Sequence, residues 1–234
     1  MLDSVAEGGL EEGNLDDDQF RWLHEQLLAA EGAKQLAVIF AHHSIETMGQ
    51  PPISPFPYGD TGGNLSPVVH FGDGPRNSQI SEPCASDVAG TPTVPTETLR
   101  CLLLRHSSVI AFVNGHEHNN RVDPFERKPG AGKVAGGFWE INTASHIDWP
   151  QQSRVIDIVD NKDGSLSIFG TILDHGAAPN PGSADARDSV NRLASISREL
   201  SFNDPHSSNG ENSSDARGGR EDRNVELVVR NPYR

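Results

Sequence analysis

The stretch Val109-Ile110-Ala111-Phe112-Val113-Asn114-Gly115-His116-Glu117-His118-Asn119-Asn120 decides the reading of this chain. Val109 to Asn114 read as a buried strand that runs into a glycine. Two histidines follow at i and i+2. In an extended segment side chains repeat every second residue, so His116 and His118 are expected on one side, with Glu117 pointing away. Gly115 leaves the backbone free to bring both imidazoles toward one point. Imidazole is the commonest metal-ligating side chain, which makes His116 and His118 candidate ligands. From this stretch alone, a polar loop that happens to hold two histidines is the alternative.

A second stretch upstream has the same grammar. Leu36 to Ala41 is a short apolar run that ends in His42-His43-Ser44. Both histidine groups therefore fall just past the carboxyl end of a buried strand, where α/β sheets place their ligands.

Strand-Gly-His-Glu-His and strand-Ala-His-His resemble the last two metal-binding motifs of the calcineurin-like metallophosphoesterases. Phe138 to Arg154 resembles one bacterial branch of that family, as does Asp222 to Val229. The resemblance implies His42 and His116 on one metal and His118 on another, with His43 and His146 as candidate substrate contacts. It implies metal-dependent hydrolysis of a phosphoester at a dinuclear centre of Mn, Fe or Zn. It also implies a four-layer α-β-β-α sandwich, with parallel strands followed by an antiparallel meander. The family's earlier motifs, Asp-x-His, Gly-Asp-x-x-Asp and Gly-Asn-His-Asp/Glu, have no counterpart. Gly72-Asp73-Gly74 has neither the spacing nor the order, and Gly13-Asn14 is followed by Leu15. The chain is thus expected to be the C-terminal half of such a domain. By itself it is expected to hold at most about one metal, weakly, and to be inactive without an N-terminal segment or partner chain. The competing expectations are a single-metal binding module without catalysis and a relic of a split gene.

Charge and composition narrow the function classes. With 19 basic and 33 acidic residues the net charge is −14, and no basic stripe exists for a nucleic-acid backbone. Positive charge for a phosphoester must be local, as a bound metal would supply. Only 35% of residues are hydrophobic, and 23 glycines and 16 prolines imply much loop. No apolar run reaches the ~18 residues of a membrane span. Met1-Leu2-Asp3 begins no signal peptide, so the chain as written reads as cytoplasmic. Cys84 and Cys101 leave one bridge open, with two unpaired thiols the preferred reading.

The remaining elements follow from pattern. Residues 1–15 read as a loop. Asp16, Asp17 and Asp18 suit a helix start, Phe20, Leu23, Leu27 and Leu28 give it an apolar stripe, and Gly32 ends it. His24 falls off the stripe and reads as surface. Residues 44–95, dense in proline and glycine, read as a lid-like insert leaving the metal site; His70 within it reads as surface. Glu97 to Arg105 reads as a helix capped by Thr96, and a strand-helix-strand order implies parallel neighbours. Arg121–Phe125, Gly137–Asn142, Arg154–Asp160 and Leu166–Leu173 read as consecutive, mostly buried strands, with turns at 128–132 and 161–164. His146 either faces the pocket or bonds Asp148. Residues 1–175 then form the domain, and 176–234 a helix over 183–200, a disordered linker and a short strand at Val225–Val229.

Overall fold

The computed structural model describes residues 1–5, 12–49, 68–73, 84, 88–95, 97–127, 135–177, 189–204 and 215–234. The chain forms β1 (Leu15–Asp16), α1 (Asp17–Gly32), β2 (Ala37–Phe40), β3 (Val69–His70), α2 (Leu99–Arg105), β4 (Val109–Asn114), β5 (Arg121–Arg127) and β6 (Gly136–Asn142). β7 (Gln152–Asp160), β8 (Ser165–Asp174), α3 (Ser189–Asn203) and β9 (Val225–Arg230) follow. The architecture is mixed α/β.

β4 is the axis of the main sheet. All six of its residues are buried. It pairs in parallel with β2 (Val38 opposite Ala111, Phe40 opposite Val113) and with β6 (Ala111 opposite Trp139, Asn114 opposite Asn142). β5 closes the sheet antiparallel to β6, for the order β2-β4-β6-β5. A second sheet, β7-β8-β9, is antiparallel throughout. Side chains alternate between the two faces from Ala111 to Val113, and a register irregularity opposite Ala37 and Val38 interrupts the alternation before that. Val109 and Phe112 pack with Phe20, Leu23 and Leu27 of α1 and Leu99, Leu102 and Leu103 of α2. Ile110 and Val113 pack with Leu166, Ile168, Leu227 and Val229 of the second sheet. Helices thus cover one face of the main sheet and the second sheet covers the other. The four-strand meander expected from 121–173 is not continuous. β6 inserts between β4 and β5, and the chain changes sheets between β6 and β7. Nor is that region mostly buried. β7 is an edge strand, and Val155, Ile158 and Val159 on it are exposed, as is Phe169 on β8.

The helix ends follow local chemistry. Asp16 caps α1, its carboxylate accepting from Gln19 N at 2.8 Å. Thr98, rather than Thr96, caps α2; Thr96 lies outside the described residues. Gly32 is the last helical residue, and Lys34, at φ 54°, takes the left-handed turn after it. On α3, Val190 and Leu193 of the expected apolar stripe are exposed, and Ala186 lies outside the described residues. β9 docks on β8 as expected.

Several expectations about single residues are corrected. His24 is buried rather than surface. Its Nδ1 lies 3.0 Å from His106 Nε2 and 3.4 Å from Arg105 Nη2. A guanidinium can only donate, so His24 Nδ1 accepts. His106 Nδ1 lies 3.2 Å from Glu31, and Arg105 lies 3.3 Å from Glu97 with both side chains buried. This cluster joins α1 to α2 at the amino end of β4. Burial, then Arg105 and His106, lowers the His24 pKa to about 4. His70 is also buried, stacked on Phe20 with ring centroids 3.6 Å apart, and Nδ1 donates to Glu97 O at 2.7 Å. Cys84 and Cys101 are disulfide-bonded, not free thiols. Spacing in sequence does not settle this, because the pairing depends on Cys84 lying against α2 in the folded chain. Most of the lid-like insert, the turn at 128–132, and much of 176–188 and 205–214 lie outside the described residues. No helix among the described residues is long and apolar enough to cross a membrane.

Candidate metal centre

His42 follows β2 and His116 follows β4, two neighbouring parallel strands, so both lie at the same end of the main sheet. The backbone ties them together. Gly115 N and His116 N both donate to His42 O, at 3.1 and 3.0 Å. The imidazoles meet with His116 Nδ1 3.1 Å from His42 Nε2. His43 completes the group, its ring centroid 4.4 Å from that of His116 and 4.8 Å from that of His42. One ligand nitrogen from each of His42, His43 and His116 falls within 4.8 Å of the others. These three residues can hold a metal ion. Tetrahedral Zn²⁺ with Zn–N bonds of 2.0–2.1 Å sets its ligand nitrogens about 3.3 Å apart, close to the His42–His116 separation. Burial, with the neighbouring His118, lowers the pKa of His42, which favours the neutral, ligating form.

His43 is thus a ligand-type residue here rather than only a substrate contact. The amino-terminal segment positions it. Ser4 Oγ sits 2.9 Å from His43 Nδ1 and accepts from His43 N at 3.2 Å, which fixes the imidazole in place. Leu2 N donates to Phe40 O at 2.7 Å, which ties the loop at residues 1–5 to β2. Gly13 makes room for this, since a Cβ there would lie 2.4 Å from Ser4 O and 2.5 Å from His43 Nδ1.

His118 does not join the group of three. It sits in a turn rather than an extended segment, with His118 N donating to Gly115 O at 3.2 Å and φ of 55°. The left-handed residue of the turn is therefore His118 itself. Gly115 is needed for space, because a Cβ would lie 3.0 Å from Thr143 Oγ1. His118 Nδ1 lies 2.5 Å from Asp148 Oδ2, a carboxylate–imidazole pair of the kind that orients metal-ligating histidines. Asp148 is consequently not the partner of His146. The His146 ring is instead 2.8 Å from Ser153 Oγ, and the residue is exposed.

Glu117 does not point away. It turns into a polar network beneath the histidines, accepting from Ser44 Oγ at 2.9 Å and from Asn142 Nδ2. Asn142 also donates to Asn114 Oδ1 at 2.7 Å, and Asn114 donates to Glu140 Oε1 at 2.7 Å. Glu140 is buried, accepts from Ile45 N at 2.8 Å, and has its pKa pushed up to about 7 by burial. This network holds the 42–47 and 115–118 turns against the ends of β4 and β6. Ser4, Gly13, Asp148 and Asn142 carry no local signal of a role at the site; each acts through a partner distant in sequence.

No protein-family model matches the chain, and no curated protein matches it.

Proposed function

We propose that the chain carries the metal-binding end of a phosphoester hydrolase. The observation that carries this reading is the convergence of His42, His43 and His116 at the ends of adjacent parallel strands. The resemblance of the strand-Ala-His-His and strand-Gly-His-Glu-His segments to metallophosphoesterase motifs supports it. A bound divalent metal would supply Lewis acidity toward a phosphoryl oxygen. The chain's own residues supply the rest. His42, His43 and His116 offer ring nitrogens, and Ser4 and Asp148 orient His43 and His118. With Nδ1 on Asp148, His118 has Nε2 to offer, unbonded among the described residues, for a second metal or for substrate. Glu117 and Asn142 keep the turn that aims His116.

A second reading, a single-metal binding module without catalysis, is favoured by one observation. Among the described residues the group contains imidazoles only, with no carboxylate to bridge two ions. Calorimetric titration with Zn²⁺ and Mn²⁺, beside hydrolysis of an aryl phosphate and an aryl phosphodiester, tests both. One site and turnover no better than a His116→Ala control favours the binding module for the chain alone. Metal-dependent turnover abolished by His116→Ala favours the hydrolase. Absence of any metal binding refutes both.

A further inference from the structure

A cleft of about 480 Å³ opens immediately after His118, lined by Asn119, Arg121, Arg217, Gly218, Asp222 and Arg223 among others. Asn119 is three residues from His116, so the two Cα atoms are at most about 11 Å apart. We propose that this cleft binds a small organic phosphate that also bears a hydroxyl or amino donor. The assignment does not depend on hydrolysis or on a bound metal.

The carboxy-terminal segment builds the cleft. Asn120 N donates to Ala216 O at 2.9 Å, and Gly218 packs so closely on Asn120 that a Cβ would lie 2.2 Å from Asn120 O. Gly218 also has φ of 68°, a conformation costly for any residue with a side chain. Asp222 locks the other side, accepting from Val122 N at 3.0 Å and Gly219 N at 2.9 Å. Its carboxylate is therefore committed to backbone.

The three arginines differ in what they can offer. Arg121 is held by Asp123 at 2.6 Å and by Glu46 and Glu117 at 3.6 Å each. Among the described residues, Arg217 and Arg223 have no carboxylate partner. Arg217 lies over the Trp149 ring, 5.7 Å from its centroid. Arg223 uses Nε on Arg217 O and Gly218 O, at 3.2 and 3.0 Å, which leaves its fork ends for another acceptor. Two anchored guanidinium groups suit the oxygens of a phosphate. In a chain of net charge −14, this is a local reversal of sign. In the same lining, Asn119 Oδ1 is buried and, among the described residues, has no hydrogen-bond partner. It is an acceptor that a bare anion leaves unsatisfied and a hydroxyl or amine satisfies. The volume falls in the range of small-molecule sites, and the surrounding negative charge opposes an extended polyanion.

The test uses the full chain, treated with chelator, and calorimetry with ribose 5-phosphate, inorganic phosphate and ribose. Ribose 5-phosphate is expected to bind, inorganic phosphate to bind more weakly, and ribose not at all. Arg217→Ala and Arg223→Ala should each weaken ribose 5-phosphate binding about 10-fold. Both residues are exposed, so circular dichroism should show an unchanged fold. Asn119→Ala should weaken ribose 5-phosphate but not inorganic phosphate. Trp149 fluorescence should respond to the ligand in the wild type and not in Arg217→Ala. His116→Ala should leave the binding intact, which separates this site from the histidine cluster. Absence of ribose 5-phosphate binding would overturn the assignment. So would inorganic phosphate binding as tightly, binding retained by the double arginine variant, or binding lost in His116→Ala.

Discussion

Replacing His24 by glutamine should change how stability depends on pH. In the folded chain the His24 pKa is about 4, against an ordinary value of 6.5. The largest cause is burial, followed by Arg105 and His106, which sit on its accepting nitrogen. Because the folded pKa is depressed, the unfolded chain takes up a proton first as pH falls. His24 therefore leaves stability intact above pH 6.5 and costs stability progressively as pH falls from 6.5 toward 4. A shift of this size corresponds to about 3 kcal/mol once complete, of which about 2 kcal/mol is lost by pH 5. Glu140 and Glu97, whose pKa values burial raises, work in the opposite sense over an overlapping range. The diagnostic quantity is therefore the difference between variant and wild type. A glutamine side chain stays neutral throughout, so the His24→Gln variant should gain about 2 kcal/mol relative to wild type between pH 7.5 and pH 5, or about 4–8 °C in Tm for a chain of this size. Urea unfolding followed by circular dichroism at half-unit pH steps measures it. Parallel curves, with a constant difference across the range, would refute the assignment of a neutral, doubly crowded His24.

Other consequences concern the metal centre and the supports around it. His43→Ala should weaken Zn²⁺ binding about as much as His116→Ala, and His118→Ala should weaken it less, as isothermal calorimetry can show. Gly13→Ala should also weaken metal binding, by at least about 10-fold in the manner of lost orienting contacts, because the new methyl group meets Ser4 O and the His43 ring. A value equal to wild type would mean that Ser4 does not position His43. Reducing the Cys84–Cys101 bridge, which spans a sequence separation of 17, should lower unfolding stability by about 3 kcal/mol, read from denaturant midpoints with and without reductant. Gly218→Ala should destabilise the chain and abolish ribose 5-phosphate binding, since both its φ and its contact with Asn120 exclude a side chain; an unaffected Kd would place the ligand elsewhere.

The parts of this protein written locally are those with a short-range cause. An apolar run broken by glycine is enough to place β4, and its six residues lie where pattern alone puts them. A strand-helix-strand order is enough to make β2 and β4 parallel neighbours, and that brings His42 and His116 together. Asp16 as a helix start follows from its carboxylate and the free amides after it. Period-two alternation fails at the turn. It places His118 beside His116 and Glu117 away from both. Once His118 takes a left-handed conformation the alternation ends, so His118 goes to Asp148 and Glu117 turns inward. His24 and His70 look like surface residues because their partners, His106 and Glu97, are supplied by another helix and loop 82 and 27 residues away. Ser4 carries no sign that it orients His43 across 39 residues. Hydrophobic period and crossover geometry act over a few residues. They are enough to say which strands of the main sheet's parallel pair form, that they neighbour each other, and which end carries the histidines. Which imidazoles converge and which are held apart is a different kind of property. It depends on hydrogen bonds and close approaches between segments that meet only once the chain is folded.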